Sequence, residues 1–310
     1  MAPAIACIGG LTLDWLEFAG GRLGPTPGGN ALYTAVGAWL ASANPMIVAR
    51  VGRDYPANNL SAIASGGLST EHIRPIDCHT YRVLISGDQD RREVRYLEGS
   101  GTNRSLDCDP SQIPDGDFGG VHVCPAEPSH QLAILRRSRE RGLTTTLDVL
   151  FVEGELEPTQ SEVLEMMPYA QAFLPSRSEI ERLWPSLDPV SCIRCIQGAG
   201  CNLAVVKMGA AGSLGSDGRV GLFIPPVRAK VVDATGAGDA FCGAFHAKWM
   251  TSQDLALSMA WGEAAASIVI EGFGALHALR QGARRAAEAR SEIALKQLCK
   301  RLDGTRVRRG

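Results

Sequence analysis

Short continuous apolar runs recur along the chain at residues 4–8, 46–51, 120–123, 144–147, 172–174 and 203–207. Runs of this length without polar alternation suit strands buried on both faces. Their separations leave room for crossover helices, for which 31–41, 56–65, 130–141, 161–167 and 176–183 are the candidates. The pattern therefore predicts alternating β and α elements, an α/β fold with a doubly wound, mostly parallel sheet.

Two segments break this rhythm. Residues 81–86 and 92–97 flank Gly87-Asp88-Gln89-Asp90, a turn-rich connection that predicts a hairpin. Residues 11–23 join it as a small flap, so lid segments are expected at about 11–25 and 80–99 of a single domain spanning 1–310. The last third turns helical at 240–250 and 255–270, where Ala264, Ala265, Ala266 and Ser267 permit close helix packing.

Composition narrows the partners. Of 310 residues 45% are hydrophobic and 21% charged, enough to bury a sizeable core. The 31 basic and 33 acidic residues are spread along the chain for a net charge of -2, a balance that favours neither nucleic acid nor an anionic membrane and leaves small molecules as partners. No run approaches the roughly 20 apolar residues of a membrane span, and no charged segment precedes the first apolar one, so a cytoplasmic location is expected. Nine cysteines, an odd and scattered set, suit reduced thiols. Cys192-x-x-Cys195 with Cys201 lacks a fourth zinc ligand, and Cys192, Ile193, Cys195 and Ile196 read as an apolar helix face. The Arg-rich ending with Arg306, Arg308 and Arg309 reads as a solvated tail.

The residues richest in chemistry run from Val231 to Phe245. Here a strand is expected to end, small residues to turn and a helix to begin. Gly236 and Gly238 let backbone amides approach an anion, and the free amides of a helix start add partial positive charge. Asp239 alone would be an ordinary helix cap. A second carboxylate, Asp233, stands at the other end of the same turn. Amides that neutralise a transferred group beside a carboxylate that accepts a hydroxyl proton suit phosphoryl transfer. The chain has no GxxxxGK[ST] loop and no GxGxxG turn between a strand and a helix.

With Asp233-Ala234-Thr235-Gly236-Ala237-Gly238-Asp239 the chain resembles the ribokinase-like, or PfkB, family of carbohydrate kinases over nearly its whole length. The resemblance implies a ribokinase-like sheet with a small β lid, an anion hole at Gly236, Ala237 and Gly238, and Asp239 as catalytic base. Ala234 stands where the family usually has Thr, Ser or Pro. The Gly28-Gly29-Asn30 turn and Asp14 match the residues that bind sugar hydroxyls, work for which carboxylate and amide groups are suited. Lys207, Gly209 and Gly212 match a nucleotide-binding KxGxxG turn, and Gly274 lies in the turn that closes around adenine. Glu179 matches the acidic residue that organises magnesium-bound phosphates, although Ser176 replaces the usual Asn. Asp233 becomes a candidate for holding a monovalent cation such as K+. Gly52-Arg53-Asp54 resembles a VGxD element to which no catalytic role is given.

The implied reaction transfers phosphate from ATP, with Mg2+, to a hydroxyl of a small neutral sugar or polyol. Residues 148–152 lack the Asn and Arg of the Asp-x-Asn-x-Arg element of sugar-acid kinases, which argues against a carboxylated acceptor. A nucleoside kinase is the alternative within the enzymes, and a catalytically idle sugar- or nucleotide-binding regulator the alternative outside them. A homodimer through the lid is a further expectation.

Overall fold

The computed structural model describes residues 2–18, 20–87, 92–97, 99, 105–116, 118–302 and 305–306. The expected turn residues 88–90 and the Arg308 and Arg309 ending lie outside them.

β1 (Ala4–Ile8), β2 (Thr12–Phe18) and β3 (Gly21–Gly28) lead into α1 (Asn30–Leu40). β4 (Asn44–Gly52), α2 (Ala57–Ser65), β5 (Ile73–Ile76), β6 (Tyr81–Gly87) and β7 (Arg92–Tyr96) follow. Then come β8 (Gly120–Val123), α3 (Pro128–Glu140), β9 (Thr144–Leu147), α4 (Gln160–Met166), β10 (Ala172–Phe173), α5 (Arg177–Leu183), α6 (Pro189–Gly198) and β11 (Leu203–Lys207). The chain closes with β12 (Ser213–Ser216), β13 (Gly221–Ile224), α7 (Ala237–Ser252), α8 (Leu255–Val269), α9 (Ala283–Lys296), β14 (Cys299–Leu302) and β15 (Thr305–Arg306).

Eleven strands form one sheet in the order β15-β14-β13-β12-β11-β10-β9-β8-β1-β4-β5. From β5 to β11 all pairings are parallel, and from β11 to β15 all are antiparallel. Alternation along β1 shows why helices cover both faces. Ile5 and Cys7 join the core of α1, α7 and α8, while Ala6 and Ile8 join the opposite core of Ile134, Val163 and Ile180. Side chains of successive strand residues point to opposite faces, so a strand apolar at every position needs two covers.

One expected strand is absent. β13 ends at Ile224, and 225–236 runs without regular secondary structure. Pro225 and Pro226 cannot donate to a ladder, which ends the strand there. The amides of Val232 and Asp233 donate instead to the Ile270 carbonyl, at 2.8 and 3.2 Å, so the turn before α7 hangs from the end of α8. The α6 face also needs correcting: Cys192, Ile193 and Ile196 are buried but Cys195 is exposed. The helix turns Cys195 away because it falls outside the arc that 192, 196 and 193 span, on the edge next to 192.

The lid is a separate four-stranded sheet, ordered β3-β2-β6-β7, with β2 and β6 parallel and the two outer pairings antiparallel. β3 extends the expected flap to Gly28. At the lid's root Asp54 Oδ1 accepts from Thr80 N at 2.7 Å and Thr80 Oγ1 at 2.8 Å, and Oδ2 accepts from Arg82 at 3.0 Å. Asp54 therefore fastens the entry to β6, which gives the Gly52-Arg53-Asp54 element a structural task.

Candidate active site

A cavity of about 410 Å³ opens where the main sheet, the lid and the start of α7 meet. Its walls include Asp148 after β9, Ser176 after β10 and Lys207 at the end of β11, the carboxyl ends of parallel strands. Crevices at such ends are the usual ligand sites of open α/β sheets.

On the side of α1, Asp14 projects from β2 and is almost fully buried. Thr12 donates a hydrogen bond to it. Burial pushes its carboxyl up to about 7 despite that bond, and Asp233 nearby adds to the rise. Gly28 lies off the cavity wall but makes room for this group, since a Cβ there would overlap the Asp14 carboxylate. Gly29, with φ of 99°, turns the chain into α1 through a conformation that side-chain-bearing residues avoid. Asn30 Oδ1 accepts from Gly10 N and its Nδ2 donates to the Pro125 carbonyl, both at 2.8 Å. These bonds fix the amide while leaving each end capacity for a ligand.

Gly236, with φ of 73°, caps α7 in the left-handed region, its Cα against the Tyr33 ring. The first helical bond of α7 is Ala240 N to Gly236 O at 2.9 Å. The amide of Gly238 therefore precedes the ladder and can face an anion, while that of Ala237 donates to the Ala234 carbonyl at 3.3 Å and that of Asp239 to its own carboxylate. Asp239 is partly open to the cavity, yet the surrounding protein and the charges of Asp148 and Asp14 push its carboxyl up to about 7, against the pull of Lys207. That value places it where a proton acceptor works best at neutral pH.

Beneath the turn lies a buried charge cluster. Lys207 Nζ is bonded to Asp148 and sits 3.3 Å from Cys242 Sγ. A Cβ on Gly238 would lie 3.5 Å from this Nζ, so the ammonium underlies the turn that begins α7. Burial works against the Lys207 charge, but Asp148 and Glu179 outweigh it and hold the pKa above the usual range. Lys207 is thus on the cavity as expected, with its charge shared with Asp148. Glu179 caps α5: it accepts from Ser176 N, and Ser176 Oγ accepts from Glu179 N at 3.3 Å. Burial and Asp148 push Glu179 up to about 8.

Gly209 and Gly212 reach the wall; Asp233 and Gly274 are not on it. Asp233 Oδ1 accepts from Thr235 N at 3.0 Å and Thr235 Oγ1 at 2.7 Å, closing the turn before Gly236. Gly274, with φ of 69°, faces Thr26 of β3, while its neighbour Phe273 packs tilted against Phe18 of the lid, ring centroids 4.6 Å apart. The loop after α8 therefore meets the lid. Among the described residues no three His, Cys, Asp or Glu side chains group as a metal centre.

Three contributions lie outside the sequence expectations. Asp148, read there only as part of an incomplete motif, is the partner of Lys207; its place directly after a parallel strand was the available signal. Glu263 reaches the cavity from α8, where it is the lone charged residue. Val83, Ile85 and Val94 turn the lid's apolar face to the cavity, beside Tyr96, an aromatic of the lid already visible in the sequence.

The model of the pfkB family of carbohydrate kinases matches residues 5–281, and the chain belongs to that family, phosphotransferases with an alcohol acceptor. A cytidine kinase of Thermococcus kodakarensis is 26% identical over 261 residues, 81% of this chain and 90% of that protein. Aminoimidazole riboside kinase from Salmonella enterica, solved with aminoimidazole riboside and an ATP analogue, superposes with a TM-score of 0.77 at 19% identity, covering 93% of this chain and 99% of the other. Fructokinase from Vibrio cholerae, solved with fructose, ADP and calcium, gives 0.77 at 22% identity over 92% and 98%. The relatives are thus kinases of sugars and nucleosides. No helix among the described residues is long and apolar enough to cross a membrane.

Proposed function

We propose that the chain transfers the terminal phosphoryl group of ATP to a hydroxyl of a neutral ribosyl compound of the nucleoside class. The observation that carries this reading is the convergence of Asp239 and the free amides of α7 with Asp14 and Asn30 on one cavity. Asp14 and Asn30 orient the acceptor's hydroxyls, and Asp239 takes the proton of the attacking one as its oxygen bonds to phosphorus. Of the Gly236-Ala237-Gly238 turn, the amides of Gly236 and Gly238 meet the equatorial oxygens of the transferred group, Ala237 closing the turn on Ala234, with the Lys207 charge below them. The phosphate-binding geometry fits the triphosphate of ATP: free amides, a glycine-lined approach and an underlying cation. Magnesium, bound to the phosphates, supplies further charge neutralisation there. Glu179 organises that region through water, and Asp233 remains a proposed neighbour of a monovalent cation.

The acceptor class turns on the lid. The sequence places a neutral sugar or polyol ahead of a nucleoside. Val83, Ile85, Val94, Val149 and Val152 build an apolar wall on the cavity, Val83 lying beside Asp14 in the lid sheet, and Tyr96 joins it. A bare sugar ring gains little from such a wall, whereas a base or another flat ring buries its faces there. The relation to a cytidine kinase supports the same order.

A coupled ADP-release assay with sugars, polyols and nucleosides tests this. Magnesium-dependent ADP release fastest with a nucleoside is expected. Faster turnover of a bare sugar or polyol would overturn the acceptor class. Thermal stabilisation by acceptor and nucleotide without ADP release would favour an idle binding regulator.

A further inference from the structure

Asp148 lies on the cavity wall, yet both of its carboxyl oxygens are taken up by the protein. Oδ1 accepts from Val149 N at 3.0 Å. Oδ2 accepts from Lys207 Nζ and, at 3.5 Å, from Cys242 Sγ, and Lys207 Nζ in turn donates to Cys242 Sγ at 3.3 Å. The three side chains close a triangle between the ends of β9 and β11 and the start of α7, almost fully out of water. A buried ion pair is a poor source of stability, because desolvating two charges offsets most of their attraction. Its presence at the wall of a reactive cavity points to a different task.

That task follows from what stands beside Lys207. The ammonium lies under Gly238, and the next residue is Asp239. Cys242, in the following turn of α7, ties the pair to the same helix. Lys207 is nonetheless ion-paired with Asp148 and not with Asp239. An ammonium bonded to Asp239 would occupy the oxygen that has to receive the hydroxyl proton, and would weaken that carboxylate as a base. Around Asp239 also stand Asp14 of β2, whose charge adds to that of Asp148, Tyr33 of α1, and the thiols of Cys124 and Cys242, which burial keeps protonated. Glu179 faces Lys207 from α5 but is committed to Ser176 N. With Asp148 and Cys242 each taking one N–H of Lys207, a third remains for a phosphoryl oxygen.

We propose that Asp148 is a positioning residue: its carboxylate holds the Lys207 ammonium under the turn that begins α7 and withholds it from Asp239, so that one cation serves the phosphoryl group without disabling the base beside it. This rests on the kinase reading above. The test replaces the carboxylate in Asp148→Asn and Asp148→Ser, the second leaving room for water beside Lys207, and follows the Asp239 carboxyl directly. Its titration is read by carbon-13 NMR of the ligand-free protein, the signal being assigned by its loss in Asp239→Asn. The acidic limb of kcat/KM reports the same group, with ATP, magnesium and the acceptor that wild type turns over fastest.

Wild type should titrate at about 7. In both Asp148 variants the NMR midpoint and the acidic limb should fall together by about one to two pH units, the effect of an opposite charge brought close. kcat should drop about tenfold as the base weakens, with the KM for ATP changed less than about threefold. Adding Lys207→Met to Asp148→Asn removes the ammonium and should return the midpoint at least half of the way, kcat staying low for want of the cation. An unmoved midpoint in the Asp148 variants, or one that stays low in the double variant, would overturn the proposal. Turnover retained in Asp239→Asn would instead overturn the base assignment, and with it the task given to Asp148, whatever the midpoints.

Discussion

Two aspartates, Asp54 at the lid's root and Asp239 at the cavity, experience opposite surroundings. Partial burial raises the Asp54 carboxyl, but bonds from Thr80, Arg82 and His79 outweigh burial and bring it to about 2. Asp239 stands among other acids with few donors and is pushed up to about 7. A carboxylate saturated with donors is an anchor, because protonating it breaks several bonds at once. One short of donors is available to take a proton from a ligand. The same side chain thus fastens the lid in one place and is poised for chemistry in another.

The sharpest way to break this contrast is Asp239→Asn, which keeps the size and removes the proton acceptor. Turnover should fall roughly 10²- to 10⁴-fold with folding and ligand binding retained. Near-normal steady-state turnover would remove Asp239 from the base role. Next in size is Lys207→Met. It leaves Asp148 buried without its cation, a change that costs about 3–5 kcal/mol. A lowered urea midpoint is expected, largely restored when Asp148→Leu is added, because the pair is then replaced by apolar packing. A double variant no more stable than the single one would deny the pairing.

Asp54→Ala should cost less, about 1–3 kcal/mol, because water can reach the released Thr80 and Arg82 groups. Its diagnostic effect is on the acceptor's KM through a loosened lid, and an unchanged KM would leave Asp54 a surface ornament. The smallest effect is a pH trend. Asp14 and Asp239 at about 7, and Glu179 and Glu263 at about 8, stand well above the ordinary carboxyl range. The folded protein therefore holds protons that the unfolded chain releases, and stability declines as pH rises from about 4.5 through 8. Asp54 acts oppositely, and its contribution is lost as pH falls from 3.8 towards 2. Tm of the ligand-free protein should be higher near pH 5.5 than near pH 8.5; a flat profile would mean that these carboxyls are better solvated than their burial implies.

β1, β4, β8 and β11 were legible because each carries a run of mostly apolar residues, a pattern that a doubly covered sheet accommodates. The turn from Gly236 to Asp239 was legible because glycines, a helix start and a carboxylate follow one another in sequence. The Asp148 to Lys207 pair was not, since its members are 59 residues apart and meet only once β9 and β11 flank β10. The missing strand before Asp233 was legible in Pro225 and Pro226 but was outweighed by the apolar Val231 and Val232. The lid's orientation could not be read from alternation, which says which residues share a face but not what that face covers.

The contact between α1 and α7 has a consequence for how acceptor range can be altered. A Cβ at Gly37 would overlap the Ala240 carbonyl, and one at Gly243 the Thr34 carbonyl, so the two backbones touch. Asn30 begins one of these helices, and Asp239 lies in the first turn of the other. The two side chains thus sit on a caliper whose jaws are set by backbone contact, with no side chain between to be trimmed or enlarged. A laboratory selection for new acceptors would find that span closed to adjustment, and its useful variants should gather at the lid wall instead.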